Sequence, residues 1–185
     1  MSSRLEISGF DFQSMQKLLG SKNLQAVEAL TKKVKNIFSD ENMGNITGQI
    51  VKQAIMEGVP FKDIEAENDL HVAAAIALAD YDQKHLGTKS NFFSVIAFWD
   101  SCEGIMNEID PKAATLLKYF INGRPIFGTE IKSDDSFYAY LLNEELETLK
   151  KEITTYIDDD ETLEAFCKWI VKIQKANKDL WFFFT

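Results

Sequence analysis

The last residues of the chain constrain its fold more than any other stretch. Leu180 to Phe184 is a continuous apolar run of one leucine, one tryptophan and three phenylalanines. A run without polar alternation is typical of an element that is buried on both faces, and its length fits a strand. Aromatic residues also suit a pleated surface. We therefore predict a buried C-terminal strand at Asp179–Phe184, preceded by a helix.

The N-terminal segment supplies the predicted partner of this strand. Arg4 to Phe10 carries apolar residues in alternation, at Leu5 and Ile7, which is typical of a strand with one buried face. Asp11 follows in the position of a helix N-cap. We predict that the first and last strands are neighbours and that the last strand is central or near-central.

Helical spacing dominates the rest of the chain, so the predicted fold class is α+β. We expect about seven or eight helices packed around a small mixed sheet, in a single domain that spans residues 1–185. We also predict a hairpin of Arg124–Ile131 and Phe137–Leu142, and a turn over residues 40–47, where Gly44 lies. The predicted helices follow Asp11 and Ser21 as caps, cover 46–57, 70–86, 91–109 and 110–121, and begin again after Asn143 and after Asp158–Asp160.

A chain of 185 residues can bury roughly 70% of its unfolded surface, so it needs neither metal nor disulfides to fold. Its two cysteines, Cys102 and Cys167, lie among apolar neighbours, and we predict that they are buried free thiols. The N-terminus lacks the pattern of a cleaved signal peptide, and no apolar run is long enough to span a bilayer. The default expectation is a cytoplasmic protein.

Acidic residues are concentrated in one segment. Residues 134–165 hold 11 acidic and 2 basic residues, a net charge of −9 that equals the charge of the whole chain. This distribution argues against binding to nucleic acid or to an anionic membrane, because both need a basic face. It leaves two interpretations open: a solvated acidic face, or an interface for a basic protein partner. The candidate interface residues are Asp134, Asp135, Glu144, Glu145, Asp158, Asp159 and Asp160.

The sequence carries no motif of a catalytic or metal site. It lacks a nucleophile elbow, a phosphate-binding glycine loop and paired cysteine or histidine ligands. Its only histidines, His71 and His85, are 14 residues apart on one predicted helix, or about 21 Å, which is too far to share a metal ion. We therefore predict no catalytic residue, no metal ligand and no cofactor.

Arg124 marks the best candidate for a small-molecule pocket. It stands between Gly123 and Pro125, where the restricted backbone would present the side chain from a fixed place. A guanidinium there could bind a carboxylate or phosphate bidentately. The alternative is an intramolecular ion pair with Glu130, Asp134 or Asp135. The candidate pocket residues are Arg124, Phe127, Tyr138 and Tyr140.

Both ends of the chain and the turn before the 137–142 strand resemble small uncharacterised bacterial domains of the YfbM-like and related groups. The resemblance is carried by the strand at Leu5–Ser8 with the helix opened by Asp11, by the aromatic strand at Asp179–Phe184, and by Gly123-Arg124-Pro125 before Tyr138-Ala139-Tyr140-Leu141. Such families imply an α+β domain without an assigned activity. The resemblance therefore implies no catalytic residue.

Three hypotheses for the function follow from these observations. The first is a non-catalytic module that docks a basic protein partner, as toxin-immunity proteins do. The second is a small enzyme or ligand-binding domain with an anion pocket near Arg124. The third is a homo-oligomeric structural protein, although no pattern in the sequence fixes an oligomeric state.

Overall fold

The computed structural model describes residues 4–38, 40–86, 91–108, 115–126, 137–156 and 161–184. Over these residues the chain forms eight α-helices and four strands, together with two 3-10 turns at Phe61–Asp63 and Asn143–Glu145, so the predicted α+β class is confirmed. The strands are β1 (Arg4–Phe10), β2 (Asn91–Ser94), β3 (Phe137–Leu141) and β4 (Asp179–Phe184). The helices are α1 (Phe12–Leu18), α2 (Leu24–Ile37), α3 (Glu41–Glu57), α4 (Asn68–Leu86), α5 (Val95–Glu108), α6 (Lys118–Asn122), α7 (Leu146–Tyr156) and α8 (Glu161–Lys175).

The chain folds into two compact units. The sheet unit is made of Met1–Gly9, Lys89–Arg124 and Ala139–Thr185, and it holds most of the sheet together with α5 to α8. The helical unit is made of Phe10–Thr88 and Pro125–Tyr138, and it holds α1 to α4.

The four strands form one sheet in the order β2-β1-β4-β3. β1 and β2 are antiparallel, with Arg4 opposite Ser94 and Ile7 opposite Asn91. β4 lies between β1 and β3, which confirms that the first and last strands are neighbours and that the last strand is an inner one.

Three successive side chains of β4 are buried. Leu180, Trp181 and Phe182 are each no more than 1% exposed. Because neighbouring side chains of a strand point to opposite faces, both faces of β4 are covered. Phe182 stacks on Phe120 at 4.4 Å between ring centroids, and Phe120 meets Phe166 edge-on at 5.3 Å. Phe182 of the terminal run thus belongs to an aromatic cluster with Phe120 and Phe166.

Helix α8 is also fixed to the sheet by a buried hydrogen bond. The indole Nε1 of Trp169 donates to the backbone oxygen of Ile7 over 3.2 Å. Trp169 is 7% exposed, so this bond satisfies a donor that burial would otherwise leave without water.

Residues 91–94 form a strand where the sequence predicted the first turn of a helix. The helical spacing does continue from Val95, where α5 begins. Asn91 to Ser94 instead pairs with β1, whose backbone groups need a neighbouring strand on this side. The prediction failed because two adjacent phenylalanines, Phe92 and Phe93, are compatible with both the 3.6-residue period of a helix and the two-residue period of a strand.

The remaining predictions in the sheet unit divide into three outcomes. β3 and β4 match the predicted strands closely. The chain after Asn143 first forms a 3-10 turn, and α7 begins at Leu146. The predicted helix over 110–121 is wrong at 115–117, since α6 begins only at Lys118, and the predicted hairpin strand is wrong at residues 124–126, which are not in a strand. The helix start at Asp110, the aspartates before α8 and residues 127–136 of the hairpin lie outside the described residues.

In the helical unit, the predicted start of α1 is correct, those of α2 and α3 are wrong, and α4 begins at Asn68, two residues before the predicted start. Asp11 caps α1 as predicted, since its Oδ1 accepts the N–H of Ser14 over 2.8 Å. The cap of α2 is Asn23 and not Ser21. α3 begins at Glu41, capped by Asp40, so the predicted turn over 40–47 is wrong.

The glycines that suggested a turn instead lie where α3 packs tightly against α2. A Cβ atom on Gly44 would be 3.0 Å from the Cα of Lys35, and one on Gly48 would be 3.0 Å from the Cγ2 of Thr31. Both distances are too short for an ordinary carbon contact. The glycines therefore favour the close approach of the two helices and do not mark a bend.

Two other glycines have the left-handed backbone that their position requires. Gly20 and Gly58 have φ of 68° and 71°, and Gly58 ends α3 as predicted. The N–H of Gly20 donates to Ala54 over 3.0 Å, and that of Lys22 donates to Ile55 over 3.0 Å. The α1–α2 connection is thereby bound to the last turn of α3.

Helix α4 packs against α1, α2 and α3. Four of its alanines are fully buried, and their small side chains let the neighbouring helices come close: Ala74, Ala75, Ala77 and Ala79.

Candidate functional site

The chain around Arg124 is fixed by its neighbours. Gly123 is the C-cap of α6, with φ of 72°, and its N–H donates to the oxygen of Tyr119 over 3.0 Å. Pro125 follows and restricts the backbone on the other side. The position of the guanidinium is therefore set by a helix end, as the sequence suggested.

The guanidinium of Arg124 is held by one carboxylate and two aromatic rings. Its Nη1 donates to Glu145 Oε2 over 2.6 Å and to the backbone oxygen of Tyr140 over 3.3 Å. Its Cζ lies 4.8 Å from the ring centroid of Tyr119 and 4.5 Å from that of Tyr140. We call Tyr119, Arg124, Tyr140 and Glu145 the Arg124 cluster.

Glu145 is fixed from a second direction. Its Oε2 also accepts the backbone N–H of Leu142 over 2.8 Å, so the carboxylate caps the 3-10 turn that precedes α7. The side chains of Arg124 and Glu145 are 19% and 23% exposed. Glu145 was predicted to belong to an acidic interface, and the structure places its carboxylate in an internal ion pair.

Burial and neighbouring charges shift the pKa values of Arg124 and Tyr140. Burial acts to lower the pKa of Arg124, but the hydrogen bond and charge of Glu145, followed by the tyrosines, raise it overall. Burial raises the pKa of Tyr140, while the charge of Arg124 opposes that rise. At neutral pH the arginine is charged and the phenol is protonated, so Tyr140 offers no activated base or nucleophile.

The structure brings together only part of the predicted pocket. Arg124 and Tyr140 are in contact, whereas Tyr138 is fully buried and Phe127 lies outside the described residues. The predicted intramolecular partners Glu130, Asp134 and Asp135 also lie outside them. The sequence missed Glu145 as the partner because Glu145 is 21 residues from Arg124 and looked like a helix-capping acid.

The acidic segment 134–165 is less uniform than its charge suggests. Glu145 is engaged by Arg124, and Glu152 accepts hydrogen bonds from Thr115 Oγ1 at 2.8 Å and from the N–H of Leu116 at 2.9 Å. Asp134, Asp135 and Asp158–Asp160 lie outside the described residues. The described carboxylates of the segment that are exposed to solvent are Glu144, Glu147, Glu161 and Glu164.

These exposed acids form two groups at opposite ends of α7. The α7-start acids, Glu144 and Glu147, precede or begin that helix, and the α8-start acids, Glu161 and Glu164, follow it. The 11 residues of α7 correspond to about 16 Å of helix. Glu164 pairs with Lys168 over 2.6 Å in an exposed contact, which contributes little to stability.

The helical unit contains a groove that sequence reasoning missed. It has a volume of about 280 Å³ and lies between one face of α3 and the chain that follows the Phe61–Asp63 turn. The helix residues recur at the spacing of a single face, so the sequence could have indicated this side of the groove but not the opposite side. We call it the α3 groove, and it is lined by Ile46, Gln49, Ile50, Gln53, Asp63, Ile64 and Glu65.

The cysteine and histidine side chains that the structure describes belong to the core. Cys102 and Cys167 are buried thiols that form no disulfide, as predicted, and burial raises the pKa of Cys167. His71 is 7% exposed, with Nε2 3.0 Å from the oxygen of Ile64. Within the described ranges, no three His, Cys, Asp or Glu side chains converge as metal ligands would, and no helix is long and apolar enough to cross a membrane.

No family model, curated protein or solved structure matches this chain. The resemblance to YfbM-like domains therefore stays a prediction.

Proposed function

We propose that this protein is a non-catalytic module that docks a basic protein partner through the acidic segment 134–165, in the manner of an immunity protein bound to a toxin. The observation that supports this most is the exposure of Glu144, Glu147, Glu161 and Glu164 within a segment that carries a charge of −9. Solvated carboxylates of one sign attract a basic partner and speed its association.

The docking surface centres on the start of α8. The three aspartates Asp158–Asp160 directly precede Glu161, so five acids fall within seven residues there, and Glu164 is the last of them. The α7-start acids stand apart from them by the length of α7.

The Arg124 cluster favours docking over the alternative of an anion-binding enzyme. The nitrogen Nη1 of Arg124 is already bound to Glu145, and a substrate carboxylate would have to compete with that internal partner. Neither Arg124 nor Tyr140 has a pKa that is shifted toward neutrality.

Affinity capture from an extract of the source cells tests the proposal. The triple variant Asp158→Lys, Asp159→Lys and Asp160→Lys should lose the captured partner, and the loss should be mirrored by release of wild-type complexes at high salt. A matched control reverses three exposed acids of the helical unit, Glu28, Glu57 and Glu67, to lysine. Equal capture by the wild type and the Asp158–Asp160 variant would refute docking through this segment.

A further inference from the structure

We propose that the α3 groove binds an extended segment of a partner protein through an arginine or lysine side chain. This inference rests on the groove itself and is independent of the acidic segment. One side of the groove is formed by residues 63–65, which we call the loop wall, and it carries two carboxylates, Asp63 and Glu65. None of the seven lining side chains is basic. The charge of the groove is therefore complementary to a cation.

The floor of the groove suits the aliphatic part of such a side chain. Ile50 is 1% exposed and forms the bottom, while Ile46 and Ile64 are half-buried beside it. Arginine and lysine carry an apolar stem behind a charged head group. The stem can cover the isoleucines while the head group reaches Asp63 or Glu65.

The opposite side of the groove, formed by α3, offers hydrogen bonds to an extended peptide backbone. Gln49 and Gln53 are exposed and one turn apart on α3, so their Cβ atoms are about 5–6 Å apart. Each amide can both donate and accept, which a peptide backbone requires. A volume near 280 Å³ lies at the lower end of small-molecule sites and suits one side chain with its flanking backbone.

The loop wall is held in place before any ligand arrives. The N–H groups of Asp63 and Ile64 donate to Pro60 and Phe61, each over 2.9 Å. Phe61 is fully buried and stacks on His71, whose Nε2 is 3.0 Å from the Ile64 oxygen. Binding therefore costs little ordering of this wall, which favours recognition of a short segment.

Titration of the isotope-labelled full chain with a defined peptide tests the inference. The probe is the capped hexapeptide Ala-Leu-Arg-Leu-Ala-Gly, and its matched control carries neutral citrulline in place of arginine. We expect saturable chemical-shift changes of backbone amides in 46–53 and 63–65, with binding of the citrulline peptide weaker by about fivefold or more.

Surface variants separate the groove from other acidic sites. Glu65→Gln and Gln53→Lys should each weaken binding of the arginine peptide by about fivefold, and Glu28→Gln, an exposed acid on α2, should leave it unchanged. All three changes lie on exposed positions, so the fold should persist.

Three results would overturn the inference. The first is the absence of saturable shifts in the α3 groove. The second is localisation of the shifts to residues 144–164, which would support docking through the acidic segment alone. The third is self-association of the protein, measured by light scattering, that is lost in the variant Leu24→Glu. That result would mean that a second copy of the chain occupies the groove through its exposed Leu24.

Discussion

In the sheet unit the inner strand β4 carries Trp181 and Phe182, whereas in the helical unit a tight contact between α2 and α3 is made at Gly44 and Gly48, which have no side chain. The first arrangement buries large apolar surfaces on both faces of a strand. The second lets α2 and α3 come so close that an added Cβ would lie 3.0 Å from its neighbour. Removing side-chain atoms from β4 should therefore destabilise the sheet unit, and adding a Cβ atom at Gly44 or Gly48 should destabilise the helical unit.

Removal of β4 is the largest change that this comparison predicts. Truncation after Asp179 deletes Leu180, Trp181 and Phe182, and loss of each buried aromatic side chain costs about 3–5 kcal/mol. Since domains are stable by only about 5–15 kcal/mol, the sheet unit should not fold. Loss of dispersion among its amide resonances measures this effect. A variant that lacks only Thr185 is the control, and a folded truncated chain would show that β4 does not organise the unit.

Removal of Arg124 should have a smaller effect, because the Arg124 cluster is only half-buried. Arg124→Ala leaves Glu145 without its cation and removes the guanidinium between two tyrosine rings, which we expect to cost about 1–3 kcal/mol in the free energy of unfolding. Urea denaturation measures this value.

A double-mutant cycle sharpens the Arg124 prediction. Glu145→Gln in the Arg124→Ala background should cost less than in the wild type, because the partner is already absent. Arg124→Lys keeps the charge but not the planar group, so it tests the contribution of the two rings. Additive effects of Arg124→Ala and Glu145→Gln would mean that the 2.6 Å contact does not contribute to stability.

Substitution of glycine by alanine gives the smallest predicted effect and the sharpest test. The same substitution should lower the free energy of unfolding at a position in the helical unit and raise it at a position in the sheet unit. Gly44→Ala should destabilise the protein by about 1 kcal/mol, since overpacking against the backbone of Lys35 outweighs the gain in helix propensity. Gly104, in the middle of α5, has nothing within 4 Å of an added Cβ, so Gly104→Ala should stabilise it by about 0.5–1 kcal/mol. Urea denaturation of both variants checks the signs, and a common sign would contradict the comparison.

Sequence patterns correctly predicted the strands whose burial can be inferred from the order of apolar and polar residues within one short segment. The β4 run has no polar alternation, and β1 has a simple two-residue period, so both strands and the α+β class could be derived from local sequence. Asp11 as a cap and Gly58 as a helix end were correct for the same reason, because their chemistry is local.

The candidate site was predicted less well, because its contacts join residues distant in sequence. Arg124 was identified from its own neighbours, but its partner Glu145 and the ring of Tyr119 come from other elements. The α3 groove depends on how the Asp63–Glu65 chain is placed beside α3, which no periodicity encodes.

The sequence by itself determined that a buried aromatic strand ends this chain and that its negative charge is concentrated in residues 134–165. Only the tertiary structure decided that Gly44 and Gly48 serve a helix contact, that Glu145 and Glu152 are used internally, and that the exposed acids form two groups. The physical reason is that burial pattern and formal charge are properties of the chain. Which atoms are left for solvent or for a partner depends on the distances between elements that the chain sets only when it folds.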